Sequence, residues 1–416
     1  MSSLRTMRPS PFRVLILGGS YGGLSAALNL LDLSQHKDPR CGKKIEETES
    51  DNLVRTPNTN IDITIVDERD GFYHLIGSPM AMASESHMEK FWVKYEDIPA
   101  LQEPNIHVLH GSVQAVDLST KTATLALHGS TESTPLNYDY LVTATGLRRV
   151  WPVVPQSLRR KQYLFEIGDH LRNVQTAKHG VVVVGGGAVG IEMAAELKVL
   201  QPETEVTLVH SREHLLSAEP LPEETKITAL ELLSETGVNV LLSHRLESTV
   251  EVKTNDGTSK CVELTFTNGH TMKASEVVMA VSRSTPVTGF LPAEVLDEEG
   301  YVKINSDLTF PPGLPNAADH FAVGDVVKWS GIKRCGGAMH MGYLAATNIH
   351  QLMTQNAEFM RLDEIPPMIG LAVGNKALSY WPAGGTTTGE DVMQAFFGKD
   401  LGFSICWNYL QLGERI

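Results

Sequence analysis

The chain has 416 residues, enough for two or three domains around a large buried core. Its formal net charge of −14 argues against nucleic acid and anionic membrane as partners, and no apolar run reaches the roughly 18 residues that span a bilayer. The four cysteines, Cys41, Cys261, Cys335 and Cys406, stand far apart with no C-x-x-C. That spacing excludes a dithiol centre built from sequence neighbours, makes a zinc knuckle a poor fit, and suits a reducing compartment.

The first segment, Met1 to Arg13, has no apolar core for a secretory signal, and its arginines make only a weak mitochondrial address. Ser2 stands where N-myristoylation needs glycine. A cytoplasmic location is expected, with mitochondrial or membrane-surface association as alternatives. Residues 13–18 read as a buried parallel strand and 22–32 as a helix. The loop between them carries Gly18, Gly19, Ser20, Gly22 and Gly23. A polar stretch, about 34–60, reads as an insertion on the surface. Ile61 to Asp67 alternates and ends in an acid. Strand-like segments follow over 105–145 and end in Ala144-Thr145-Gly146. Pro152 and Pro155 mark a linker. A second strand-loop-helix runs from Val181 through Gly185, Gly187 and Gly190 to Glu192, read as lying in the first turn of its helix. The next strand ends in His210-Ser211-Arg212. Val323-Gly324-Asp325 precedes a Gly-rich turn and a helix, about 336–353, and the tail from Pro366 is aromatic.

Two glycine loops a domain apart suggest two nucleotides in one protein. In each loop, backbone N–H groups and a helix N-terminus would sit under a pyrophosphate. Asp67 suits the hydroxyls of an adenosine ribose. At the second loop an acid is missing, and Arg212 nearby permits a 2′-phosphate, which favours NADPH over NADH or allows both. Glu192 either favours its helix dipole or reaches the nicotinamide pocket. Asp325 suits ribityl hydroxyls, and the helix start after Gly336-Gly337 suits a reduced flavin ring. The first loop also fits a G-x-S-x-G elbow with Ser20 as nucleophile, but that reading leaves the second loop and Asp67 unexplained. The His210/His214 and His107/His110 pairs lack the geometry of a metal site, and none is expected. The expected architecture is α/β, with two Rossmann-type nucleotide-binding domains without a redox disulfide, plus a C-terminal region. The first domain is split between about 1–150 and 284–350, the second is inserted at 151–283, and 351–416 completes the chain.

These motifs, in this order, resemble the two-dinucleotide-binding-domain flavoproteins, and most of all the apoptosis-inducing-factor-like and ferroptosis-suppressor-like group with its fungal members. The departures are Ser20 for a glycine, the long insertion, and the ending Met279-Ala-Val-Ser282. The resemblance implies FAD on Gly18, Gly19, Ser20, Gly22, Gly23 and Asp67, with Val113 against the adenine, Thr145 and Gly146 beside the phosphates, and Gly324 and Asp325 at the ribityl chain. It implies NADPH or NADH on Gly185, Gly187, Gly190, His210 and Arg212, with Glu192 as the candidate catalytic group. It further implies hydride transfer to the flavin and onward reduction of a quinone-like acceptor by a monomer or homodimer, with peripheral membrane contact as an option. Two other readings are open. One is a flavoenzyme dedicated to a specialised metabolite, and the other is a redox-sensing interaction protein.

Overall fold

The computed structural model describes residues 10–41, 59–253, 261–281, 284–356 and 358–415. β1 (Phe12–Leu17) feeds through a short loop into α1 (Tyr21–Ser34). Val14 to Leu17 are all buried, as a parallel strand covered on both faces requires. β2 (Ile61–Asp67) lies parallel to β1, with Leu17 opposite Val66. β3 (Gly71–Tyr73), α2 (Ser78–Ala81), α3 (Glu85–Lys90) and β4 (Trp92–Lys94) form a small excursion. β5 (Ile106–Asp117), β6 (Thr122–Leu127) and β7 (Ser133–Asn137) make an antiparallel meander, and β8 (Tyr140–Thr143) returns beside β1.

β9 (Leu147–Arg148) leads out of this sheet to α4 (Arg160–Gln175). β10 (Val181–Val184), α5 (Ala188–Leu200) and β11 (Val206–Val209) then repeat the opening strand-loop-helix-strand unit. α6 (Glu223–Glu235), β12 (Asn239–Leu241), β13 (Leu246–Glu251), β14 (Val262–Phe266), β15 (Thr271–Ala274) and β16 (Glu276–Met279) follow. β17 (Thr285–Pro286) pairs antiparallel with β9, so the outgoing and returning segments cross side by side. β18 (His320–Ala322) rejoins the first sheet, α7 (Cys335–Met353) packs on α1, and the chain ends in β19 (Ile369–Val373), β20 (Lys376–Trp381), β21 (Gly385–Gly389), α8 (Glu390–Phe396) and α9 (Phe403–Tyr409).

The first sheet runs β18-β8-β1-β2-β5-β6-β7 and the second β12-β11-β10-β16, while β13-β14-β15 and β19-β20-β21 are separate three-stranded sheets. The first and second sheets have Rossmann-type parallel cores, with β1 and β10 flanked by parallel neighbours on both sides. Most of the polar insertion lies outside the described residues, as does Ser282. Among the described residues no helix is long and apolar enough to cross a membrane. Phe403 stacks between Phe91 and Trp407 with ring centroids 5.6 and 5.5 Å apart, and Phe397 packs on the same core. Phe397, Phe403 and Trp407 of the aromatic tail are therefore packing, whereas Trp381, Phe396 and Tyr409 stay exposed.

Candidate functional site

The first glycine loop is held by the strand beside it. Gly18 N–H donates to the Val66 carbonyl at 2.8 Å and Gly19 N–H to Asp67 Oδ2 at 2.6 Å. The other oxygen of Asp67 accepts from Arg69 N–H at 2.7 Å. Burial pushes the Asp67 carboxyl up, while Arg69 and these two N–H donors pull it back down. Asp67 thus anchors the loop. A carboxylate has about four acceptor sites, so the ribose role expected for it is compatible with this anchoring. Tyr95 supports the loop from the other side, its O–H donating to the Gly19 carbonyl at 2.8 Å. Ser20 precedes α1 as its N-cap, and its hydroxyl makes no capping bond.

The second loop repeats these contacts with different chemistry. Gly185 N–H donates to the Val209 carbonyl at 2.8 Å, and Gly186 N–H donates to His210 Nδ1 at 3.1 Å. His210 Nε2 lies 3.0 Å from Ser217 Oγ. An imidazole that accepts at Nδ1 is neutral, with its proton on Nε2. Burial lowers the His210 pKa in the same direction. Histidine therefore occupies the place that Asp67 holds in the first unit, and does the same bracing without a negative charge. Arg212, two residues on, is exposed.

The glycines show why these loops pack as they do. A Cβ on Gly23 would fall 1.8 Å from the Gly18 carbonyl oxygen, and one on Gly190 would fall 1.8 Å from that of Gly185. Helix and strand touch there, and no side chain fits. Gly18 has φ +103°, and its Cβ would sit 2.4 Å from the Ala144 oxygen, which places Thr145 and Gly146 against the first loop. Thr145 Oγ1 is already committed, donating to the Val287 carbonyl at 2.6 Å. A Cβ on Gly22 would meet Val323 and Ala338, so the Gly324-Asp325 turn and the start of α7 close the other side. Asp325 lies 3.5 Å from Arg149 Nη2. The structure thus brings the first loop, Thr145, Gly146, Gly324 and Asp325 together. Val113 sits further out, on the antiparallel extension of β5, three residues past His110, the register partner of Asp67.

Glu192 is the fifth residue of α5, one turn past its start, and not in the first turn as its place after the loop suggested. It is too deep to serve the helix dipole, which acts within the first turn. Its Oε1 instead accepts from Ala372 N–H of β19 at 3.3 Å. Burial pushes its carboxyl up to about 8, the neighbouring Glu196 and Cys335 add to this, and the Ala372 N–H opposes it. Glu196, one turn on, is 1% exposed, and burial pushes it up to about 8 as well; its Oε1 finds no hydrogen-bond partner.

Three further groups carried no sequence signal, because their partners are remote. Tyr95 contacts Gly19 across most of the first domain. Tyr21, inside the first loop, places its hydroxyl 3.0 Å from His74 Nδ1, and His74 Nε2–H donates to the Leu401 carbonyl at 3.0 Å. Burial lowers His74 to about 4 and holds it neutral, as that chain of hydrogen bonds requires. The third is a pair of thiols: Cys406 on α9 pulls the thiol of Cys335, the first residue of α7, below its usual pKa.

The residues present fit two bound dinucleotides. A Cβ on Gly146, Gly187, Gly336 or Gly337 would meet no protein atom within 4 Å. Gly187 has an ordinary φ of −79°, so neither packing nor backbone conformation demands a glycine there. Bare backbone at a loop's open side is what close approach of a pyrophosphate requires.

The comparisons agree with this architecture. Residues 12–342 match the family model described as pyridine nucleotide-disulphide oxidoreductase. The chain is 47% identical to "Oxidoreductase OXR1" of Ajellomyces capsulatus over 419 aligned residues, covering all of this chain and 90% of that protein. It is 26% identical to ferroptosis suppressor protein 1 of Xenopus tropicalis, over 81% of this chain and 80% of that one. Among solved structures, the sulfide:quinone oxidoreductase of Aquifex aeolicus superposes with a TM-score of 0.68 at 19% identity, covering 97% of this chain and 92% of the other. The chain belongs to the pyridine nucleotide-disulphide oxidoreductase family, as an apoptosis-inducing-factor-like and ferroptosis-suppressor-like FAD-dependent oxidoreductase.

Proposed function

We propose that this protein takes hydride from NAD(P)H and passes the electrons through FAD to a quinone-like small acceptor. The observation that carries the reading is the repeated loop, braced by Asp67 in one unit and by His210 in the other, with Glu192 of the second unit buried against the C-terminal sheet. The acceptor class rests on the likeness to the ferroptosis-suppressor group.

Bound FAD would supply the redox chemistry, accepting hydride from the nicotinamide and releasing electrons to the acceptor. The first loop, with Thr145, Gly146 and Asp325, would hold it, and Val113 would touch the adenine. Gly185, Gly187 and Gly190 would hold the nicotinamide nucleotide's pyrophosphate. A neutral His210 does not repel a 2′-phosphate, and exposed Arg212 can pair with one, so NADPH is the proposed donor. Glu192, its carboxyl raised to about 8 by burial, can donate a hydrogen bond or a proton where α5 meets the C-terminal sheet.

Anaerobic stopped-flow reduction of the purified protein tests this. NADPH should bleach the flavin faster than NADH, and a soluble quinone should reoxidise it quickly. No bound flavin, or bleaching over minutes with both nucleotides, would overturn the reading. Fast bleaching with no response to quinones would replace the acceptor with a dedicated metabolite.

A further inference from the structure

The two nucleotide units can be laid over each other residue by residue. Gly18 N–H donates to the Val66 carbonyl and Gly185 N–H to that of Val209, so Val66 matches Val209 and Asp67 matches His210. Asp67 stands in register with His110 on β5, and Val209 with Leu241 on β12, so His110 matches Leu242. The strands that follow match too. β5 runs on into an antiparallel sheet with β6 and β7, and β12 leads to β13, which makes an antiparallel sheet with β14 and β15. Three residues past His110 is Val113, the residue proposed to touch an adenine. Three residues past Leu242 is Arg245.

The backbone around Arg245 is fixed against the end of β11. His244 N–H donates to the His210 carbonyl at 2.9 Å, and Ser243 N–H to the Arg212 carbonyl at 3.1 Å. Thr267 N–H donates to the Arg245 carbonyl at 3.0 Å, and the His244 ring centroid lies 5.4 Å from that of Phe266. Arg212 and Arg245 are thus carried on two segments bonded to each other. Both are exposed, and neither pairs with a carboxylate among the described residues. In a chain of net charge −14, two such guanidiniums on adjoining backbone make a local field for an anion.

We propose that Arg245 joins Arg212 in clamping the 2′-phosphate of NADPH, and that this second cation sets the preference for NADPH over NADH. The inference rests on the NADPH reading above and adds to it a residue from the next strand. FAD carries no 2′-phosphate, and an uncharged Val113 suffices in the first unit. In the second unit the same place holds a planar guanidinium, whose paired N–H donors match phosphate oxygens. Neutral His210 between them leaves that phosphate unopposed.

Calorimetric titration of the purified protein with NADP⁺ and NAD⁺, which differ only in that phosphate and carry no hydride, tests this. The wild type should bind NADP⁺ at least ~10-fold more tightly than NAD⁺. Arg245→Leu and Arg212→Leu should each weaken NADP⁺ about tenfold and hold NAD⁺ within about twofold. Arg245→Lys, which keeps the charge and loses the paired donors, should fall between Arg245→Leu and the wild type. If Arg245→Leu weakens NADP⁺ and NAD⁺ alike, Arg245 is a platform for the adenine and the clamp is overturned. If Arg245→Leu keeps the wild-type preference while Arg212→Leu loses it, the clamp is overturned and the NADPH reading survives. A wild type that binds both nucleotides equally removes the NADPH reading together with the clamp.

Discussion

At the residue scale the two loops do one job with two chemistries. Asp67 ends the second strand of its unit and His210 directly follows the second strand of the other, and both accept from the N–H of the loop's second glycine. Removing Asp67 orphans a buried donor, at a cost of about 1–3 kcal/mol, so Asp67→Ala should purify with much less flavin, read from the absorbance ratio. His210→Ala should weaken NADPH binding about tenfold and leave flavin content unchanged. The pH dependence follows from His210 having to stay neutral. Its folded pKa lies below the usual 6.5, so the unfolded chain takes up the proton first as pH falls. The brace contributes fully above about 6.5 and is lost as pH drops toward the lowered folded value. Titrating NADPH affinity from neutral to mildly acid pH should show a fall in the wild type and a flat, weaker line in His210→Ala. The bracing was not legible in the chain. Asp67 read as a ribose ligand because its position says nothing of what its oxygens already hold, and His210 read as the absence of an acid rather than as its replacement.

At the element scale the strand-loop-helix units were the legible part, because their signal is local: an apolar β-branched run, glycines at fixed offsets, then an apolar helix. What the spacing hides is which glycines serve packing and which serve a ligand. Gly190 serves packing, since a methyl there would collide with the Gly185 oxygen, whereas Gly187 faces no protein atom. Gly190→Ala should lose about 3 kcal/mol or fail to fold. Gly187→Ala should keep its stability within about 0.5 kcal/mol in denaturant titration yet bind NADPH about tenfold more weakly. A Gly187→Ala variant with unaltered affinity would mean that no pyrophosphate approaches that backbone. Glu196, on the same helix, gives a stability test. Its folded pKa is raised to about 8, so the protonated form belongs to the native state, and stability falls as pH rises from 4.5 toward 8. Glu196→Gln is uncharged throughout. It should flatten that decline and exceed the wild type at alkaline pH by roughly 2–4 kcal/mol.

At the scale of the whole molecule, the features the chain concealed are those whose partners lie far away along it: Tyr95 on Gly19, His74 between Tyr21 and Leu401, Cys406 acting on Cys335. Periodicity reports which face of an element is buried, not what covers it. Glu192 shows how much of the function depends on such remote cover. It stands on α5 of the second unit, it feels Cys335 from the start of α7, and it accepts from Ala372 on β19, the edge strand of the C-terminal sheet. Burial between these parts raises its pKa to about 8, and the Ala372 N–H is what restrains the rise. If this carboxyl works in its protonated form, the rate of flavin reduction by NADPH should bend downward near pH 8. Glu192→Gln should remove the bend. Ala372→Pro takes away the N–H that points off the sheet edge onto Glu192, so it should keep a bend but move it to higher pH. A bend that stays put in Ala372→Pro but vanishes in Glu192→Gln would make Glu192 the titrating group and deny the C-terminal sheet any part in tuning it. A wild-type profile with no bend would remove Glu192 from the chemistry altogether.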